Sequence, residues 1–224
     1  GGFTAASGIP SQGLAAPLDV LFYSDLSYEF DQLALFGEVT WSVTESFNLT
    51  GGLRYYDFEE SRTQIFDGIF GNDNNGTSLV ATSGSTSADG IVPRMIAEWK
   101  LSDATSLNAQ ISQGFRLGGI NDPLNVPLCT PQDLETFGGQ DAWDDETLWN
   151  YEIGSKSTIM DGKGSFNVAA FYMDITDLQA TVTAGSCSSR VIFNVPSSHS
   201  AGLELEFAAA PSEHLDFSIS ASYA

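Results

Sequence analysis

The chain has 224 residues, 42% hydrophobic and 12% aromatic, which excludes a fully disordered polypeptide. Lys and Arg number 8 against 29 Asp and Glu, a net charge of -21 that repels nucleic acid and anionic membrane surfaces and so excludes a phosphate-reading role. Only 17% of residues are charged, and the 22 glycines together with many Ser, Thr and Asn favour strands and turns over exposed helices.

Residues 1–28 are expected to be an outer loop segment, and residues 29–224 one strand-rich domain. Period two begins in YEFDQLALFGEVTWSVTE, where Leu33, Leu35, Gly37, Val39, Trp41 and Val43 oppose Gln32, Ala34, Phe36, Glu38, Thr40 and Ser42. After a tight turn near 45–46 the chain returns with Phe47, Leu49, Gly51, Leu53 and Tyr55 on one face. A long loop over 66–90, rich in Gly, Asn, Asp, Ser and Thr, precedes IVPRMIAEWKL. That strand turns at 102–105 into SLNAQISQGFRLGGIN, which sets Leu107, Ala109, Ile111, Gln113 and Phe115 against Ser106, Asn108, Gln110, Ser112, Gly114 and Arg116. A second long loop, 117–146, leads to TLWNYEIGSKSTIM, a turn at 161–164 and SFNVAAFYMDITDLQATV. The loop 182–189 leads to RVIFNVPSSHSAGLELEFAAA, a turn at 211–214 and LDFSISASYA. The pattern predicts eight strands, and the chain reads as an internal segment of a longer protein, without a leader peptide near Gly1.

Short and long connections alternate strictly, so every tight turn falls at one end of the sheet and every long loop at the other. Transmembrane barrels have this arrangement, with short periplasmic turns and long outer loops. No apolar run reaches the ~18–20 residues of a spanning helix, but strands cross a bilayer with about 9–11 residues, every second one polar. Trp41 and Trp99 lie on the apolar face near short turns, and Trp149 and Tyr151 on that face after a long loop, as interfacial girdles require. The opposite face carries Arg54, Arg94, Glu98, Lys100, Arg116, Glu152, Lys156, Glu204 and Glu206, which suits a hydrated interior. A closed eight-stranded structural or adhesive outer-membrane barrel also fits the alternation. So does a soluble β-sandwich such as a glycan-binding module, in which the apolar face is buried between sheets.

The stretches LFGEVTWSVTESFNLTGGLRY (35–55), SQGFRLGGIN (112–121), ETLWNYEIGSKS (146–157), FNVAAFYMDITDLQ (166–179) and NVPSSHSAGLELE (194–206) resemble, in this order, the barrel of TonB-dependent outer-membrane receptors of the iron-complex uptake branch. The resemblance implies an all-β, antiparallel segment of a barrel of roughly 22 strands, normally occluded by a plug. It also implies location in the Gram-negative outer membrane, contact with outer-membrane lipid, and import of an iron-siderophore or similar small ligand. Neither the plug nor the energy-coupling box is in this segment, so contact with TonB belongs to an amino-terminal part of the longer protein. No resident cofactor and no nucleic-acid partner are implied.

Ligand contacts are expected from outer-loop aromatics and polar groups, namely Phe66, Phe70, Asn72, Phe137 and Trp143, and from Arg116 near the outer mouth. The preferred reading of Arg116 is nevertheless a structural charge paired with a neighbouring carboxylate, with Gly118 and Gly119 in a rim bulge. Cys129 and Cys187 fall in successive outer loops and are compatible with a bridge in an oxidising compartment or with two free thiols. His199 and His214 have no metal-ligand spacing, and the acidic run GGQDAWDDET reads as a solvated, repulsive loop. No catalytic constellation is present, so the chain is not read as an enzyme.

Overall fold

The computed structural model describes residues 15, 20–68, 71, 79 and 81–224. The alternating stretches form β1 (Tyr23–Ser42), β2 (Phe47–Asp67), β3 (Ala81–Lys100), β4 (Thr105–Arg116), β7 (Glu146–Ile159), β8 (Gly164–Thr183), β9 (Arg190–Ser212) and β10 (Leu215–Tyr223). They make one antiparallel sheet in the order β1-β2-β3-β4-β7-β8-β9-β10, whose edges among the described residues are β1 and β10. A separate two-stranded ribbon pairs β5 (Gly119–Ile120) with β6 (Ala142–Trp143), and the seven-residue helix α1 (Pro131–Phe137) lies between them.

Cross-strand register tests the face assignment directly, because residues opposite each other share a face. Trp41 pairs with Leu49, and Gly37 with Leu53, which pairs with Pro93. Met95 pairs with Ile111, which pairs with Tyr151. Ile153 pairs with Ala170, which pairs with Leu203. Together these pairs define one continuous apolar face, on which Val39 is 73% and Ile153 61% exposed, a surface that water would not leave uncovered. On the other face Arg94 pairs with Ser112, Gln110 with Glu152, Lys156 with Asn167, and Asn167 with Glu206. The mixed charges therefore lie together on a polar inner face, as the alternation predicted. At the short-turn end Trp41 and Trp99 share the apolar face, and toward the loop end Tyr151 and Tyr172 face each other with ring centroids 6.4 Å apart.

The turns fall where expected, at 43–46, 101–104, 160–163 and 213–214. The loops differ from expectation in three ways. First, β1 starts at Tyr23, inside the segment assigned to an outer loop. Second, the first long connection shrinks from 66–90 to 68–80, because Ala81–Gly90 pairs residue for residue with Tyr56–Ile65. The arm Ala81–Gly90 is small or polar on both faces, so its alternation disappears although Ser and Thr suit a ladder. Third, 117–145 is no structureless loop: it contains β5, β6, α1 and a turn of 3-10 helix at Val126–Leu128.

The ladder between β3 and β4 stops at Arg94 opposite Ser112, whereas the one between β2 and β3 continues past Pro93. Proline fits a strand only where its missing N–H faces away from a ladder, so Pro93 marks where β4 parts from β3. Beyond that point β4 is free to twist, and Phe115 leaves the apolar face assigned to it. Its ring stacks on Tyr56 with centroids 3.8 Å apart, and the guanidinium of Arg54 lies 5.9 Å from its centre; both partners belong to the inner face.

Candidate functional site

The inner face is closed at its loop end by the segment 117–145, which crosses it as a chord. At one side Arg62 on β2 donates to the Ile120 carbonyl at 2.7 Å and pairs with Asp122, while Gln64 donates to the Asn121 carbonyl at 3.2 Å. Ile120 lies against Gly84 of β3, where the lack of a side chain makes room for it. At the other side the Asn121 amide donates to the Ile192 carbonyl at 2.7 Å and accepts from the Ile192 N–H at 2.9 Å. One side chain thus supplies the bonds a neighbouring strand would give β9.

Gln179 and Asn194, paired across β8 and β9 on the inner face, hold both ends of the chord. Gln179 donates to the Leu117 carbonyl at 2.9 Å and to the Asp144 carbonyl at 3.2 Å. Asn194 donates to the Asp144 carbonyl at 2.9 Å and accepts from the Asp144 N–H at 2.8 Å. The acidic run divides: the Asp145 and Glu146 carboxylates are taken up by this network, while Asp141 and Asp144 join it through their backbones and keep exposed side chains. Asp145 accepts from the Gly118 N–H at 2.6 Å, and Glu146 accepts from Arg116 at 2.6 Å and from the Gln179 N–H at 2.7 Å. Gly118 and Gly119 make no bulge: a side chain at Gly119 would lie 2.5 Å from the Trp143 ring, so the glycines let β5 close onto β6.

Behind the chord Cys129 and Cys187 are joined in a disulfide across a separation of 58 residues. Cys187, Ala184 and Val191 are buried together, with Leu124, Cys129 and Phe137 packed against them. The N-cap of α1, Thr130, accepts from the Asp133 N–H at 3.2 Å. The Asp133 carboxylate in turn accepts from the Ser186 hydroxyl at 2.6 Å and the Ser186 N–H at 2.9 Å, and these bonds with one from Thr130 hold it below the usual aspartate range.

The expected ligand contacts separate into groups. Phe66 lines an open cavity with Phe22, their rings 5.6 Å apart. Arg116 is bound to Glu146 and to the Gln179 carbonyl at 3.0 Å. Phe137 is part of the cluster beside the disulfide, and Trp143 packs on Gly119. Phe70 and Asn72 lie outside the described residues. His199 stacks on Tyr172 with centroids 6.1 Å apart, and His214 sits in the turn after β9. The sequence reading missed Arg62, Asn121, Asn125, Gln179 and Asn194. For Gln179 and Asn194 a signal existed in their inward phase beside long loops.

The family model described as TonB dependent receptor-like, beta-barrel matches residues 2–224. Over 176 residues the chain is 25% identical to the pesticin receptor of Yersinia enterocolitica, covering 79% of this chain and 23% of that protein. Its fold matches the ferric yersiniabactin uptake receptor from Yersinia pestis with a TM-score of 0.62 at 20% identity, over 90% of this chain and 28% of that one. It matches a siderophore receptor from Acinetobacter baumannii with a TM-score of 0.62 at 18% identity, over 89% of this chain and 26% of that one. The chain therefore spans about a quarter of the length of these proteins.

Proposed function

Because the chain belongs to the TonB-dependent receptor β-barrel family of the Gram-negative outer membrane, we propose that it forms part of the wall and mouth of a transporter importing a small iron chelate of the siderophore type. The observation that carries this reading is the chord: a polar, hydrogen-bonded segment held across the inner face by Arg62, Gln64, Gln179 and Asn194. Such a chord narrows the entry to a lumen and presents fixed donors and acceptors there, which a barrel with a filled interior does not need. The uptake of ferric yersiniabactin named for one structural relative, and the siderophore receptor named for another, support iron chelates as the cargo class. In this reading the chelator supplies the metal's ligands, and the receptor reads the chelator's periphery.

The roles of the expected residues follow. Phe66 meets cargo directly, whereas Arg116, Phe137 and Trp143 position the chord. Energy coupling runs through TonB, by a part of the receptor other than this barrel segment. Uptake of radioactive iron as a panel of siderophore complexes, by iron-limited cells expressing the full-length receptor with and without functional TonB, tests the proposal. Saturable uptake of one complex, lost without TonB, is the expected result; no difference between cells with and without the receptor for any complex contradicts it.

A further inference from the structure

On β3 the Lys100 N–H donates to the Ser46 carbonyl, toward β2, and the Leu101 N–H to the Thr105 carbonyl, toward β4. Backbone direction alternates along a strand, and the register of β3 with β2 runs without a shift from Trp99 to Ala81. The N–H and C=O groups of Ser83, Ser85, Ser87 and Asp89 therefore point away from β2, to the side on which β4 pairs with Arg94–Lys100. By Pro93 the ladder with β4 has ended, and β3 has no neighbours in the sheet other than β2 and β4. Among the described residues no backbone partner meets these groups.

The inner side of this edge is backed by Ile120 against Gly84 and by Phe115, stacked on the Tyr56 ring that crosses Gly90. The outer side is open, and Ser83, Ser85, Ser87 and Asp89 are all exposed. Free edges are ordinarily guarded by Lys, by Pro or by a bulge. Residues 83–89 contain none of these. The outer face beside the edge is charged in one sense: Asp57 lies directly opposite Asp89, and Asp31 directly opposite Glu59, all four exposed. Like charges so placed repel each other. Asp57 accepts from the Tyr55 hydroxyl at 3.2 Å, but no cation pairs with any of the four among the described residues.

We propose that this edge of β3 is a docking site for an extended, cationic segment of another polypeptide, which adds to the sheet as an antiparallel strand where β4 has departed. Directly opposed residues of such a pair share a face, and those whose backbones point at each other exchange both bonds. The residue facing Asp89 thus sets its side chain beside Asp89 and Asp57, and the one facing Ser87 lies in the row of Glu59 and Asp31. Lys or Arg at these alternate positions relieves the repulsion while its own N–H and C=O complete the edge. The surface is separate from the chord, and the assignment does not depend on the cargo.

The probe is a short, acetylated, fluorescent peptide of alternating Lys and Thr, and its binding to the full-length receptor in neutral detergent is followed by anisotropy. Methylating the Lys backbone nitrogens removes the donors aimed at β3 and keeps the charge, and should weaken binding about tenfold. Methylating the Thr nitrogens, which face away, should leave it unchanged. Asp57→Asn combined with Asp89→Asn should weaken the unmodified peptide about fivefold, with heat-modifiable migration as the folding control. No binding of the unmodified peptide, or equal affinities of the two methylated forms, overturns the proposal; so does unchanged binding in the folded double variant. Should that variant misfold, the methylation comparison on the wild-type receptor still decides.

Discussion

Tyr56 reaches across Gly90 of the neighbouring strand to stack on Phe115 of β4, with ring centroids 3.8 Å apart. A Cβ at Gly90 would meet the Tyr56 Oη at 2.9 Å and its Cε1 and Cζ at 3.0 Å, so the contact requires glycine there. The stack ties β4 to β2 over β3, just beyond the point where the ladder between β3 and β4 ends. Side-chain packing therefore joins the strands where backbone bonds no longer do.

Gly90→Val should displace the Tyr56 ring and lower stability by about 1–3 kcal/mol, the usual cost of overpacking. The readout is the temperature at which the full-length receptor loses heat-modifiable migration. Tyr56→Ala with Gly90→Val should cost less than the sum of the single changes, since the valine then has room. Additive effects would show that the crossing is not the constraint.

Glu146 serves two donors, Arg116 and the Gln179 N–H, from a side chain that is 11% exposed, while the Arg116 side chain is 55% exposed. Glu146→Ala should therefore cost more than Arg116→Ala, about 1–3 kcal/mol for unpairing a buried backbone donor against at most about 1 kcal/mol for a largely solvated ion pair. Limited proteolysis of 117–145 measures the order; a greater effect of Arg116→Ala contradicts it.

The disulfide closes a long loop, worth about 2–4 kcal/mol where loop entropy governs. Its action is local to the chord and the turn before β9. Replacing Cys129 and Cys187 by Ser should leave barrel assembly intact and make the helix Pro131–Phe137 sensitive to protease. Failure to assemble would mean that the bridge organises the sheet itself.

Asp133 is held below the ordinary aspartate value, near about 3.9, first by the Ser186 hydroxyl, then by the Ser186 N–H and Thr130. A carboxylate depressed in the folded state contributes stability that is present above its unfolded value and is lost as pH falls through the folded one. Docking of α1 onto the turn containing Ser186 should thus be constant through neutral pH and weaken only in strong acid. Asp133→Asn should abolish this acid-dependent step in protease sensitivity; a step between pH 6 and 7 (a range about 2–3 units above the ordinary value) would assign the transition to another group.

The strands were legible because a sheet with unlike faces writes period two into its sequence, as in Leu33 to Val43. The arm Ala81–Gly90, which pairs with Tyr56–Ile65, was less so, since its own residues are small or polar on both faces. The chord was illegible for a different reason. Asn121 reaches Ile192 across 71 residues and Gln179 reaches Leu117 across 62, and such single amide-to-backbone bonds impose no spacing. Phe115 was placed by an alternation that holds only while β4 remains paired with β3, and Pro93 was the sign that it does not.

In a transmembrane barrel one face of the sheet meets lipid and the other a hydrated lumen. Spin labels placed singly at Val39, Leu53, Ile153 and Leu205, and at Thr40, Gln110, Glu152 and Glu206, in the full-length receptor in bilayers test it most directly. The first set is predicted to relax readily with oxygen, which concentrates in lipid, and the second with a water-soluble nickel chelate; a charge introduced at the first set near the midplane should cost about 2–4 kcal/mol. Nickel accessibility at Val39 and Ile153, with oxygen accessibility at Thr40 and Glu152, would reverse the faces and contradict the account.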